Sequence, residues 1–124
     1  LSDKEIIVNG DGSDKLDFTY IEDLIEGVVH IIDNPKAKNH TFNMTFGHSR
    51  TVNELLEILR LSFPSVKVKY KDREKLMPLR GTLSMNKAEK ILNFRPKWKI
   101  EEGYKRYINW YKKLYERHLK NLDV

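Results

Sequence analysis

The chain has 124 residues and a formal net charge of +5, with 40% apolar and 33% charged residues, which indicates a globular rather than a disordered protein of one domain. It contains no cysteine, which excludes disulfides, thiol catalysis and cysteine-ligated zinc, and no apolar run approaches the roughly 20 residues of a membrane helix. The charge is uneven: 6 Lys and Arg oppose 11 Asp and Glu up to Pro64, whereas 17 oppose 7 from Ser65 onward.

Strands and a helix alternate in the first part of the chain. Residues 5–8 are a β-prone run that ends in a Gly-Asp-Gly turn, and alternation over residues 16–20 predicts a second strand. Apolar residues recur at helical spacing over residues 21–32, and the following Asp-Asn-Pro sequence ends that helix. Alternation over residues 40–46 predicts a further strand.

The second part of the chain is mainly helical. Residues 51–54 have the spacing of a capping box and begin a helix that continues to about residue 63. Residues 66–70 alternate as a strand, and helices are predicted over residues 86–92 and 101–119. The chain is therefore predicted to be a single α/β domain over residues 1–124, a small mixed unit of short strands and about four helices.

The turn at Gly10-Asp11-Gly12 allows two interpretations. A phosphate-binding loop needs a strand, a glycine-rich turn and a helix, so that backbone N–H groups can face the phosphate. Here no third glycine follows, and the next predicted element is a strand. The Gly-Lys-Ser/Thr of a P-loop is also missing. We therefore predict a hairpin-like turn, with Ser13 and Asp14 as turn formers.

Other catalytic patterns are not found in the sequence. No Gly-x-Ser-x-Gly elbow surrounds a serine, which argues against a hydrolase. The histidines show no ligand-pair spacing, so no metal site is predicted; they are His30, His40, His48 and His118. His30 lies beside the apolar stripe of its helix, where we expect a histidine at the core boundary.

The basic second half raises the possibility of nucleic-acid binding. Lys67, Lys69 and Lys71 share one face of a predicted strand, but Tyr70 lies on the opposite face, so the pattern lacks a stacking platform. A solvated edge strand protected by lysines fits as well. A stand-alone basic module for nucleic acid or a protein partner remains an alternative function, and a structural fragment without a ligand is a third.

An ordered set of motifs resembles the extended short-chain dehydrogenase/reductases, the NAD-dependent nucleotide-sugar epimerases and dehydratases. The resemblance covers about residues 6–114. The motifs are GDGSDKLDFTYIED at 10–23, TFNM at 41–44, TVNELL at 51–56, NKAEKILNFRP at 86–96, EEG at 101–103 and WY at 110–111.

The resemblance implies the C-terminal, substrate-binding portion of such an enzyme, without its Rossmann half. The family's NAD site and catalytic Tyr-x-x-x-Lys lie in that half, and none of the six tyrosines here has a lysine four positions later. We therefore expect no catalytic, cofactor-binding or metal residue in this chain, NAD in the parent enzyme and no turnover by the chain alone. The implied partners are a nucleotide-sugar and the missing N-terminal Rossmann domain, with no nucleic acid or membrane, in the cytoplasm. The missing initiator Met favours a chain cut from a longer protein.

The resemblance also suggests which residues bind the substrate. Two family arginines commonly neutralise the substrate pyrophosphate. Leu16 stands at the first of these positions, beside Lys15, which should point to the other face of an extended segment. The second position matches Arg80. The strand at residues 6–9 matches a segment that packs along the base. The predicted substrate-binding residues are Val8, Asn9, Lys15 and Arg80.

Overall fold

The structure is a computed structural model that describes residues 5–120, with side chains described up to residue 117. The beginning of the chain and the side chain of His118, both considered above, lie outside this range. The described residues contain four α-helices, four short strands and a 3-10 turn, which confirms the predicted α/β class. The strands are β1 (Ile6–Asn9), β2 (Lys15–Leu16), β3 (Arg50–Thr51) and β4 (Val68–Lys71). The helices are α1 (Ile21–Asp33), α2 (Val52–Ser62), α3 (Asn86–Leu92) and α4 (Ile100–Lys120), and the 3-10 turn is Pro35–Ala37.

The strands form two separate two-stranded sheets. β1 pairs in parallel with β4, with Ile6 opposite Val68, and β2 pairs antiparallel with β3. The predicted hairpin was therefore wrong, because β1 and β2 belong to different sheets. The Gly-Asp-Gly turn carries the chain from one sheet to the other, and Gly10 and Gly12 both adopt positive φ, at 83° and 79°.

The strands predicted at residues 40–46 and 16–20 were also largely wrong. Residues 40–46 form no strand, and the second prediction is reduced to the two residues of β2. In the described part of the chain no extended segment pairs with residues 40–46. Their polar groups bond elsewhere: Asn43 Nδ2 donates to the Ser84 carbonyl over 3.0 Å, and the Thr45 N–H donates to Met85 Sδ over 3.3 Å. Alternation alone does not make a strand without a neighbouring strand to pair with.

Two groups of buried apolar residues organise the helices. The first lies between α1, the 3-10 turn and α3, and its members are Ala37, Met85, Ala88, Leu92 and Phe94. The second consists of the buried side chains of Val8 in β1, Leu56 in α2 and Ile108 in α4. Two members of the second group, Val8 and Leu56, line the candidate site described below.

α2 begins with the predicted capping box. Thr51 Oγ1 accepts from the Glu54 N–H over 3.1 Å, and Glu54 Oε2 accepts from the Thr51 N–H over 2.7 Å. The neighbouring Arg50 forms ion pairs with Glu54 and with Glu101 of α4. Local sequence therefore sets the start of α2, and a long-range ion pair ties it to α4.

α1 has the predicted helical pattern but an unusual distribution of exposure. Its buried residues are Asp23 and Gly27, and the Asp23 carboxylate accepts the Lys97 N–H over 2.8 Å and the Trp98 N–H over 3.0 Å. Nδ1 of the half-buried His30 lies 3.0 Å from the Leu92 carbonyl, which confirms a histidine at the core boundary. The exposed apolar residues of α1, whose exposed fractions lie between 38% and 75%, are Ile21, Leu24, Ile25, Val28, Val29 and Ile32.

Within residues 5–120, no helix has both the length and the apolar character needed to cross a membrane.

Candidate functional site

A cavity of about 330 Å³ lies beside β1, between α2 and the segment of residues 77–80. The buried part of its lining is apolar and includes Val8 and Leu56, each 5% exposed. The half-buried Leu55 and Leu59 of α2 extend this apolar surface. Its polar lining residues are Asn9, Asp14, Lys15, Arg80 and Tyr104. The cavity thus combines an apolar interior with polar and charged groups toward solvent, which is the usual composition of a small-molecule site.

The four predicted substrate-binding residues all line this one cavity. Val8 and Asn9 come from β1, Lys15 from β2, and Arg80 from a segment more than 60 positions later in the chain. Leu16, at the position of the family's first arginine, contributes to the same lining beside Lys15. The fold therefore brings the four residues together from three separate segments.

The charges in the cavity lining are predominantly positive. Lys15 and Arg80 are both exposed, and among the described residues neither forms an ion pair with a carboxylate. Asp14 is the acidic residue of the lining, but its carboxylate is paired with Arg73, whose Nε lies 3.1 Å from Oδ2 and 3.4 Å from Oδ1. The lining therefore favours an anionic ligand over a cationic one.

Tyr104 brings a phenol from α4 into the lining. Burial raises the pKa of Tyr104 above its ordinary value, and the neighbouring Tyr107, stacked at 6.2 Å between ring centroids, raises it further. The hydroxyl therefore stays protonated at neutral pH and is available as a hydrogen-bond donor.

The glycine turn is not a phosphate cradle. The Asn53 N–H donates to the Gly12 carbonyl over 3.0 Å, and its side-chain amide donates to the Asp11 carbonyl over 3.0 Å. A Cβ at Gly12 would overlap the Asn53 amide, so the glycine allows the start of α2 to approach. The Asp11 carboxylate accepts the Ser13 N–H over 2.9 Å and the Ser13 hydroxyl over 2.5 Å. The turn does not fit a dinucleotide pyrophosphate, since Asn53 occupies the space beside it.

The other candidate sites have less support. Among the described side chains no three His, Asp or Glu residues group as metal ligands. On the basic strand, the Tyr70 hydroxyl donates to Asn53 over 2.9 Å, and Lys71 lies 3.5 Å from Glu74. A second cavity of about 540 Å³ lies at the N-terminus of α4, but its Arg50 is already paired with glutamates. Lys99 in that cavity, and Lys67 and Lys69 at the basic strand, are also exposed and form no ion pair among the described residues. What distinguishes the first cavity is that all four predicted substrate-binding residues line it.

Sequence reasoning missed Tyr104 and the Asp14–Arg73 pair. Asp14 was interpreted as a turn former, and no role was predicted for Arg73. The 59 positions between them give no local signal of contact. Tyr104 belongs to a helical stripe, and spacing alone does not distinguish a cavity residue in such a stripe from a core residue.

Comparison with known proteins shows which family the chain resembles. The model of the NAD-dependent epimerase/dehydratase family matches residues 1–45. Over 112 residues the chain is 34% identical to a UDP-glucuronate 4-epimerase of Thermodesulfobacterium geofontis, covering 89% of this chain and 34% of that protein.

Solved structures show the same relationship. An epimerase from Methanothermobacter thermautotrophicus superimposes with a TM-score of 0.87 at 26% identity, over 95% of this chain and 36% of that one. A UDP-glucose 4-epimerase from Thermotoga maritima, solved with UDP-glucose, gives a TM-score of 0.82 at 26% identity, over 90% of this chain and 36% of that one. The chain spans about a third of the length of these relatives. The predicted resemblance is confirmed: over that third, the chain is related to the extended short-chain dehydrogenase/reductases of the NAD-dependent epimerase/dehydratase family.

Proposed function

We propose that this chain is the C-terminal, substrate-binding portion of an NAD-dependent nucleotide-sugar epimerase or dehydratase. The observation that carries the proposal is the cavity beside β1. Four residues selected from sequence motifs, namely Val8, Asn9, Lys15 and Arg80, line it together. Relatives named for UDP-glucuronate and UDP-glucose make a UDP-sugar the first ligand class to test.

The chemistry of the lining matches the two ends of a nucleoside diphosphate. The apolar side chains of Val8, Leu55 and Leu56 would pack against the base and ribose, which removes apolar surface from water. Lys15 and Arg80 would neutralise the diphosphate, and the planar guanidinium of Arg80 can form two parallel hydrogen bonds with its oxygens. In this arrangement Leu16 contributes packing where the family commonly has a charge.

Catalysis would be divided between this chain and the remainder of the enzyme. The remainder would hold NAD, which supplies transient hydride abstraction when bound, and would also contribute the catalytic Tyr-x-x-x-Lys. This chain would contribute the energy of binding the remote nucleotide, which holds the reacting sugar in place. On this proposal the chain alone does not turn over substrate, and the whole enzyme works in the cytoplasm.

The exposed apolar face of α1 supports the proposal that another domain of the enzyme packs against this helix. Ile21, Ile25 and Ile32 are each more than half exposed, and residues 40–46 alternate like a strand without pairing with one in the described chain. Contiguous exposed apolar surface is typical of an interface. We infer that the N-terminal Rossmann domain covers this face in the whole enzyme.

Calorimetric titration with UDP-glucuronate, UDP-glucose, a dTDP-sugar and a GDP-sugar tests the proposed ligand. We expect a UDP-sugar to bind and Arg80→Ala to weaken it about tenfold or more, since a hydrogen bond to a charged group contributes about 1.5–3 kcal/mol. Arg95→Ala is the matched control, because Arg95 is an exposed arginine outside the cavity lining. It should bind like the wild type.

Two results would contradict the proposal. If no nucleotide-sugar binds, the cavity is not a substrate site. If an oligonucleotide binds instead, with an affinity that falls steeply with salt, the chain is the basic module considered as the alternative.

A further inference from the structure

The cavity contains a negative charge in an unfavourable place for an anionic ligand. Asp14 lines the cavity directly before Lys15 in sequence, and its side chain is 18% exposed. A free carboxylate there would repel a diphosphate and would compete with it for Lys15. Because Leu16 supplies no positive charge, the cavity depends on the cations that remain.

Arg73 approaches this carboxylate from outside the cavity lining. Its side chain runs along Gly10, where a Cβ would lie 3.5 Å from Arg73 Cβ and 3.7 Å from its Cδ. Its Nε then lies 3.1 Å from the nearer Asp14 oxygen. Gly10 has a φ of 83°, so the backbone itself shapes the surface against which the arginine packs.

The pair is a poor contact if its role is stability alone. Nη2 of Arg73 is buried and has no hydrogen-bond acceptor among the described residues, which is unfavourable for a buried donor atom. The bond to Asp14 through Nε also falls short of the two-pronged geometry that makes arginine–carboxylate pairs strong. Neutralising the Asp14 charge requires neither an acceptor for Nη2 nor a two-pronged contact, so the observed geometry is sufficient for that role.

We propose that Arg73 is a positioning residue for anion binding: it holds the Asp14 carboxylate so that Lys15 and Arg80 remain available to the ligand. This inference rests on the proposed function, since it assigns a role at the same cavity. Arg73 does not touch the ligand, and it acts through Asp14. Through this ion pair, Arg73 compensates in part for the family arginine that Leu16 replaces.

The test compares UDP with uridine on variants of the 124-residue chain. Freeing the Asp14 charge with Arg73→Gln should weaken UDP binding about tenfold and leave uridine binding unchanged, because only the anionic part of UDP feels the added charge. The double variant Asp14→Asn/Arg73→Gln should recover UDP affinity to within about threefold of wild type. Asp14→Asn alone, which leaves Arg73 as an extra cation, should bind UDP at least as tightly as wild type, more so at low salt.

The possible outcomes separate the two proposals. If wild type binds neither UDP nor UDP-sugars, the proposed function fails, and this inference fails with it. If wild type binds UDP but Arg73→Gln binds it equally well, or the double variant stays weak, only the role of Arg73 is overturned. If Arg73→Gln does not fold, Asp14→Asn decides, and a loss of UDP affinity in that variant overturns the role.

Discussion

α1 and α2 are both amphipathic helices, but they place their apolar residues in opposite surroundings. α2 buries Leu56 and presents Glu54 and Glu57 to solvent. α1 buries Asp23 and Gly27, packs Ile31 against the core, and leaves Ile21, Ile25, Val28, Val29 and Ile32 exposed. The period of 3.6 residues is the same in both, so the periodicity that predicts a helix does not say which face the fold uses.

The difference shows how much of each helix the described residues bury. On the α2 side, Leu56 is buried, Leu55, Ile58 and Leu59 are half-buried, and the capping box closes the N-terminus of the helix. On the α1 side, the helix is held by a buried carboxylate on two backbone N–H groups, and most of its apolar stripe is exposed within the described part of the chain. This exposure is the observation behind the proposal that another domain packs on α1.

The largest expected contrast is between Leu56→Ala on α2 and Ile25→Ala on α1. Leu56→Ala should lower the free energy of unfolding by about 3 kcal/mol, as expected for a buried leucine that leaves a cavity. Ile25→Ala should change it by less than about 0.5 kcal/mol, because Ile25 is 56% exposed. Urea unfolding followed by circular dichroism measures both. A large loss for Ile25→Ala would show that α1 is covered within the chain itself.

The polar anchor of α1 should come next in size. Asp23→Ala removes a buried acceptor shared by the Lys97 and Trp98 N–H groups and should cost about 2 kcal/mol of stability. Glu22→Ala, one position earlier on the exposed side of the helix, is the control and should cost little. Thermal unfolding compares the two variants. Equal effects would mean that charge near the helix start, rather than the two hydrogen bonds, holds α1 in place.

The smallest expected effect lies at the start of α2, where Thr51→Ala should cost about 1 kcal/mol by removing the cap. The pKa of Glu54 is lowered, first by the backbone N–H of Thr51, then by its hydroxyl and by Arg50. The stabilising effect of ionised Glu54 is therefore present above its ordinary value of 4.5 and is lost as the pH falls through the lowered pKa.

In Thr51→Ala the pKa of Glu54 should move back toward 4.5, and the loss of stability in acid should shrink. NMR titration of the Glu54 carboxyl measures the shift. An unchanged pKa would mean that the backbone N–H of residue 51 and Arg50, and not the Thr51 hydroxyl, set it.

Several elements were predictable because their causes are local. The capping box at residues 51–54 and the helix at residues 86–92 depend on neighbours three or four positions away, and both are found as predicted. The four substrate-binding residues were chosen from motif order, and the fold places them around one cavity. Their role in binding remains a prediction until a ligand is titrated.

The failures share a physical cause, which is that pairing partners lie far away in sequence. β1 pairs with β4, about 62 positions later, rather than with β2, so the expected hairpin does not form. Residues 40–46 have the alternation of a strand but no strand beside them. A strand depends on a neighbour for its hydrogen bonds, whereas a helix completes its own.

The sequence by itself determined the class of fold, the helices, the family resemblance and the lack of a Tyr-x-x-x-Lys, because periodicity and motif order are properties of the linear chain. Only the tertiary structure decided that Asn53 fills the space beside the glycine turn, that Arg73 pairs with Asp14, and that α1 turns its apolar side outward. Each of these depends on which distant segments the folded chain brings into contact, and local residue preferences do not encode that choice.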